Sequence, residues 1–147
     1  MSFTEIELEY LSTQRLGRLA TAQPNGTLQA SPVGFRYNDA TGTIDIAGHG
    51  MANSRKFRNV ADNGRVAFVV DDLASMQPWR PRCVEIRGRA EAIAEPTDSA
   101  WAAGPQMGFD GAIIRIHPKW IMSFGLEETT GDVHEYKFNK RTVGGPA

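Results

Sequence analysis

Arg55, Lys56 and Arg58 are the residues whose placement most needs a chemical explanation. They sit in the stretch 47–70, AGHGMANSRKFRNVADNGRVAFVV. There an apolar strand runs through Gly48 and Gly50 into a short amphipathic segment ending at Asn63-Gly64. Asn53 reads as an N-cap and Gly64 as the helix stop. Phe57, Val60 and Ala61, at i, i+3 and i+4, read as one apolar helical stripe. The cations then occupy the first turns of a helix, where the backbone dipole is already positive. Each costs a few tenths to about 1 kcal/mol there unless an anion is present. Free N–H groups, the Ser54 hydroxyl and three cations together make a site for a phosphate or carboxylate. The competing reading is a solvated basic face on a surface helix.

A second candidate is Gln29-Ala30-Ser31-Pro32-Val33. Proline inside a strand removes a ladder donor, which confines it to an edge or a bulge. A bulge would expose backbone N–H and C=O groups to the rim of a flat heteroaromatic ring; a plain edge strand is the alternative. His49 lies in the glycine loop before the basic helix. It is either an ordinary turn residue or a contact to a ligand ring or phosphate. Trp79, in Pro78-Trp79-Arg80-Pro81, either covers a pocket or interface or simply packs. Trp101 and Phe109 are open between a substrate wall and packing beneath a long loop. His117 reads as structural, His134 as a surface residue, and Cys83 as a quiet small hydrophobe.

Other chemistry is excluded by pattern. No HExxH, CxxC or clustered His/Cys spacing points to a metal. Gly48-His49-Gly50 begins like a dinucleotide fingerprint, but Asn53 stands where the third glycine belongs and the surrounding strands are not βαβ. GxSxG and P-loop motifs are absent. No side chain is assigned as catalytic.

These residues need a scaffold, and the rest of the chain reads as one. Its 147 residues suit a single domain spanning 1–147. A net charge of −1 argues against a chain-wide preference for nucleic acid. No apolar run approaches a membrane span, and the acidic N-terminus is not a secretory signal. One cysteine rules out an internal disulfide and fits a cytoplasmic setting. Thr4-x-x-Glu7 is a capping box opening a helix to about Ser12. Strands are expected at Leu16–Ala22, Leu28–Tyr37, Thr43–Ala47 and Arg65–Asp71, then a loop over 72–81. Cys83–Ile93 alternates cleanly, with Val84, Ile86, Gly88, Ala90 and Ala92 on one face. A loop over Glu95–Gly111, with a helical turn near Trp101, precedes strands at Ala112–Ile116 and Ile121–Leu126, broken at His117-Pro118. A last strand is expected at Val133–Asn139, and residues 141–147 as a disordered tail. Hairpin spacing favours a mainly β barrel or sandwich.

Four segments carry a family resemblance: LGRLATAQPNGTLQASPVGFRY at 16–37, SRKFRN at 54–59, VEIRGRAEAI at 84–93 and IRIHPKWIMSFGLE at 114–127. In this order the chain resembles the pyridoxamine 5'-phosphate oxidase-like split β-barrel superfamily, and within it the branch that uses the deazaflavin coenzyme F420. The resemblance implies a homodimeric, FMN-binding-like Greek-key split barrel, with the cofactor in a groove at the dimer interface. It implies that Gln29, Ser31, Pro32 and Val33 flank the ring, and that Ser54, Arg55 and Lys56 hold the cofactor phosphate; His49 is the candidate to position substrate or ring. Arg58 and Arg80 then serve the acidic oligoglutamate tail. The implied activity is hydride transfer between reduced F420 and an activated C=C or C=N bond of a small organic substrate. The alternatives are an FMN-dependent oxidoreductase and a non-catalytic flavin, deazaflavin or tetrapyrrole carrier. The longer basic flavin-phosphate motif and C-terminal substrate segment of the oxidases proper are missing, which argues against pyridoxamine phosphate as the substrate.

Overall fold

The computed structural model describes residues 2–98, 108–127 and 136–144. Among them are two α-helices and eight strands. Helix α1 (Glu5–Ser12) is followed by β1 (Leu16–Ala22), β2 (Leu28–Gly34), β3 (Arg36–Asn38) and β4 (Thr43–His49). A 3-10 turn (Met51–Asn53) leads into α2 (Arg55–Asn63), and β5 (Arg65–Ser75), β6 (Arg80–Ile93), β7 (Phe109–Phe124) and β8 (Asn139–Thr142) complete the order. No described helix is long and apolar enough to cross a membrane.

All strand pairs are antiparallel, in the order β2-β1-β5-β6-β7-β4-β3, with β8 on β7. The two ends of that order, β2 and β3, are separated in the chain by Phe35 alone. A flat sheet cannot satisfy both facts, so the sheet rolls until its edges meet at Phe35, giving a split barrel. Phe35 packs edge-to-face on Phe68 at 5.3 Å. Phe68 in turn fills space that only glycine leaves: a Cβ on Gly17 would stand 2.2 Å from its ring. Leu19, Ile44, Ile46, Val84, Ile86, Ile114, Ile116 and Ile121 line the same buried interior.

Local chemistry sets the ends of the elements. The capping box is formed: Glu7 N–H donates to Thr4 Oγ1 at 3.2 Å and Thr4 N–H to Glu7 Oε1 at 3.0 Å. Gly26 takes φ +90° in the first hairpin turn, and Gly64 ends α2 at φ +70°.

Several expectations are corrected. The N-cap of α2 is Ser54, because Asn53 is used in the 3-10 turn. Ala61 is exposed, and Asn59 takes its place on the buried face. The strand expected over Leu28–Tyr37 splits at Phe35. No bulge forms at Pro32, whose register with Arg18 is regular; the proline is tolerated because β2 is an edge strand. The loop over 72–81 is mostly β-hairpin, since β5 runs to Ser75 and β6 starts at Arg80.

His117-Pro118 does not break the chain into two strands. The β6–β7 register shifts between Arg87 and Gly88, with Lys119 the extra residue of the bulge and Pro118 paired beside it opposite Gly88. Gly88 makes it possible, because a Cβ there would sit 2.2 Å from the His117 carbonyl oxygen. The last described strand is Asn139–Thr142, so Arg141 and Thr142 are sheet residues where a tail was expected, and Val143 N–H donates to Lys119 O at 2.9 Å. Trp101, His134 and the first three positions of the expected Val133–Asn139 strand lie outside the described residues; of its described part, 136–138 are not in a strand and only Asn139 is, as the first residue of β8.

Candidate functional site

Helix α2 lies across the β1–β2 hairpin, held there by polar side chains. Asn59, 2% exposed, donates from Nδ2 to Thr21 Oγ1 at 3.0 Å and to Gln29 Oε1 at 3.3 Å. Asn63 Nδ2 donates to Ala22 O at 2.7 Å, and Arg55 Nη1 to Gln23 Oε1 at 3.3 Å. Gln29 is thereby fixed beside the basic helix. Alternation along β2 places Ser31 and Val33 on the same face as Gln29. Leu28, Ala30 and Pro32 take the opposite, exposed face, which removes Pro32 from the α2 side. Val33 is buried in the core.

Two features of this surface call for a ligand. The Ser31 hydroxyl is buried with no hydrogen-bond partner among the described residues, a state that costs about 1–3 kcal/mol if nothing satisfies it. At the start of α2, Ser54 Oγ accepts from Phe57 N–H at 3.2 Å and donates to Met51 O at 2.7 Å. Its hydroxyl is therefore committed to capping, while the Arg55 and Lys56 N–H groups precede the first turn's bonds. None of Arg55, Lys56 and Arg58 forms an ion pair among the described residues. Arg55 and Arg58 are exposed and Lys56 is half-buried. Positive side chains and a positive helix end thus meet the β1–β2 hairpin, and β2 carries the orphan hydroxyl on the same face as Gln29.

The lead-in to α2 is fixed from the other side of the sheet. Ala52 N–H donates to Asp110 Oδ2 at 2.9 Å. His49, exposed at the end of β4, pairs with Phe109 across the ladder and meets its ring edge-to-face at 5.3 Å. It stands before the helix and not within the Gln29–Ser31 face. Arg80 is not brought to α2 in this chain. It starts β6 opposite Ser75, whereas α2 caps the end of the sheet where Gly64 O accepts from Ala90 N–H.

Asn59, Thr21 and Gln23 have no separate sequence signal except that a polar residue interrupts the α2 stripe. The other strong polar clusters serve the scaffold. Arg115 holds Asp45 by two bonds of 3.0 and 3.1 Å on the outer side of β4 and β7. Asp72 takes bonds from Tyr10, Arg82 and Gln14, and Arg82 beside it holds its carboxyl below the usual range. Burial pushes the Cys83 thiol up to about 11. Among the described residues, no group of three or more His, Cys, Asp or Glu side chains is placed to hold a metal.

Known proteins share this architecture. The chain is 45% identical over 127 residues, 86% of its length and 86% of the relative's, to the 5a,11a-dehydrotetracycline/5a,11a-dehydrooxytetracycline reductase of Streptomyces rimosus subsp. rimosus. Its fold matches a conserved hypothetical protein from Mycobacterium tuberculosis with a TM-score of 0.67 at 20% identity, covering 90% of this chain and 94% of that one. It also matches the FAD binding protein from Mycobacterium smegmatis with a TM-score of 0.61 at 18% identity, covering 84% and 97%. The rolled sheet, the basic helix against its β1–β2 hairpin and a family match over residues 3–124 lead to one assignment: the chain belongs to the pyridoxamine 5'-phosphate oxidase family.

Proposed function

We propose that this protein is an F420-dependent reductase that delivers a hydride to an activated C=C or C=N bond of a small organic molecule. The observation carrying this reading is the start of α2, where cations without an ion pair and free helical N–H groups stand against the β1–β2 hairpin, whose β2 strand carries the unpartnered Ser31 hydroxyl on the Gln29 face. Those groups fit a phosphorylated cofactor with a flat, heteroatom-rimmed ring. When bound, the deazaflavin supplies the hydride, and the protein supplies placement and electrostatics. Arg55 and Lys56, with their backbone N–H groups, hold the phosphate. Ser31 and Gln29 face the ring, and Asn59 keeps Gln29 in position. Arg58 is available to the acidic tail. His49 helps bound the site from the β4 side.

The similarity to a 5a,11a-dehydrotetracycline reductase supports an oxidoreductase, and we read the acceptor here as a C=C bond at a dehydro position of a polycyclic molecule. FMN is the alternative cofactor for the same surface.

One chain supplies only one wall of this site, so the reading includes a homodimer. The outer sheet face supports it. Ala30, Ala20 and Ala67 lie side by side across β2, β1 and β5, next to Pro32 and Val69. Leu28 at the margin is 77% exposed. Small apolar residues let two sheets approach closely, and the Arg18–Asp71 pair at 3.4 Å offers both charges to a two-fold copy. Arg80 then reaches a cofactor only from the second copy.

The test is titration with F420 and separately with FMN, followed by fluorescence and thermal shift. Tighter binding of F420, weakened by at least about tenfold in Arg55→Ala/Lys56→Ala, is the expected result. Reduced F420 should then be consumed with a polycyclic enone. Preference for FMN replaces the cofactor, binding without turnover leaves a carrier, and binding of neither overturns the reading. An Ala67→Arg variant should sediment as a monomer.

A further inference from the structure

Trp79 sits at the tip of an arm. The β1–β5 ladder ends at Arg18–Val69 and the β6–β7 ladder at Cys83–Phe124, but β5 and β6 stay paired with each other out to Ser75–Arg80. Residues 72–82 therefore leave the sheet as a two-stranded hairpin. Its base is fixed, because Asp72 accepts from Tyr10, Gln14 and Arg82. Arg80 and Arg82 turn to the cleft beside Gly125–Glu127. Leu73 and Pro81, paired across the arm, continue the outer face that carries Ala67 and Val69. Met76 and Trp79 complete the tip, 73% and 53% exposed.

Such an arm is poorly suited to water. A lone two-stranded hairpin is marginally stable, and large apolar side chains at its tip gain nothing from exposure. Among the described residues nothing covers them. Its reach supplies a cover. At about 3.3 Å per residue, Val69 to Ser75 spans about 20 Å, and Val69 back to Arg65, where the sheet gives way to α2, about 13 Å. A two-fold axis through the alanine patch that carries Arg80 to the other chain's α2 reverses the strand direction. The arm then overshoots the end of the second copy's sheet by about 7 Å. Its tip passes over α2 and the exposed Leu28 of that copy.

We infer that the arm of the second copy forms the apolar wall of the substrate site, with Trp79 and Met76 against the flat body of a polycyclic acceptor. The inference rests on the reductase and homodimer reading above and deepens it. The start of α2 in one copy holds the charged end of the cofactor, and the arm of the other selects the acceptor. A broad aromatic face and a pliable thioether suit a fused ring system. A one-ring acceptor covers less of that wall and gains less from it.

Two measurements separate the arm from the cofactor assignment. The first needs no cofactor. In a Cys83→Ala background, Met76→Cys is combined with Leu28→Cys, or with Ala61→Cys on the exposed side of α2, and treated with a flexible bis-maleimide. Met76 lies at the opposite end of its own sheet from both positions, so the expected product has twice the chain mass. Met76→Cys alone should give none, and failure of both pairs overturns the placement of the arm. The second is complementation. Trp79→Ala/Met76→Ala should raise KM for a polycyclic enone at least about tenfold more than KM for 2-cyclohexenone. Co-expressed with Arg55→Ala/Lys56→Ala, it should regain about one quarter of parental activity, because random pairing leaves about one site in four with both walls intact. Equal effects on the two enones, or no recovery on co-expression, would overturn the proposal. If the parent binds neither F420 nor FMN, the reductase reading and the substrate role fall together, and the cross-link still decides where the arm lies.

Discussion

Replacing Glu7 by Gln tests whether the two ends of the chain are held together by one buried charge. Glu7 is fully buried in α1. It accepts from Thr4 N–H at 3.0 Å, Ser123 Oγ at 2.6 Å and Arg141 at 2.6 and 3.1 Å. Burial resists its ionisation, but Arg141, Ser123 and Thr4 together outweigh that and hold its carboxyl below the ordinary range. Gln keeps the size and the capping acceptor and removes the charge. Arg141 loses its counterion but keeps Ser2 O at 2.7 Å, Asn139 Oδ1 at 2.9 Å and a side chain 25% exposed. Breaking a buried pair costs about 3–5 kcal/mol, and the retained contacts lower that to about 2–3 kcal/mol. For a chain of this size that is a fall in Tm of about 4–12 °C.

Urea unfolding followed by circular dichroism gives the number, and its pH dependence gives the sign. In the parent, the Glu7 contribution is present above the ordinary carboxylate pKa and is lost as pH falls through the lower folded value. In Arg141→Met, burial acts on Glu7 with its counterion gone and raises the folded pKa above the ordinary value. That variant should be least stable near neutrality and approach the parent as pH is lowered towards about 4. A loss under about 0.5 kcal/mol in Glu7→Gln, the size of a surface pair, would refute the reasoning. So would identical pH profiles for parent and Arg141→Met.

Three further outcomes follow from single contacts. Gly88→Ala pushes a methyl into the rigid His117 carbonyl and should cost about 1–3 kcal/mol in urea unfolding; an unchanged midpoint would show that the bulge can shift. Asn59→Leu strips Thr21 and Gln29 of their donor and should cost about 1–3 kcal/mol. It should also speed amide exchange at the start of α2, and unaltered exchange would place the anchor elsewhere. Cys83 in the native protein should react with thiol reagents near neutral pH at least about a hundredfold more slowly than in urea, because burial keeps it protonated.

Elements whose signals are local were legible in the sequence. Thr4 and Glu7 lie within one turn and formed their capping box as read. Asn25-Gly26 turned the first hairpin, and Gly64 stopped α2. The alternation of Val84, Ile86 and Ala90 gave the buried face of β6. The basic residues of α2 were readable too, because charge and helix position are both sequence properties. Apart from the one-residue shift of the α2 cap from Asn53 to Ser54, the larger misreadings concern contacts with distant partners. His117-Pro118 looked like a break because Gly88, which makes room for the bulge, comes from another strand. The tail looked free because Arg141 finds Glu7 across a separation of 134 residues.

Residue types and short-range spacing therefore determined most of the strands, the capping box of α1, the glycine stop of α2 and the basic helix itself. Tertiary structure decided which cations lie at the same end of the sheet. It put Gln29 and Ser31 beside α2, turned Pro32 away, and carried Arg80 to the opposite end of the sheet beside Gly125–Glu127. The reason is geometric. A strand's alternation is set by its own backbone, but which end of a rolled sheet a residue reaches depends on the pairing of all its strands.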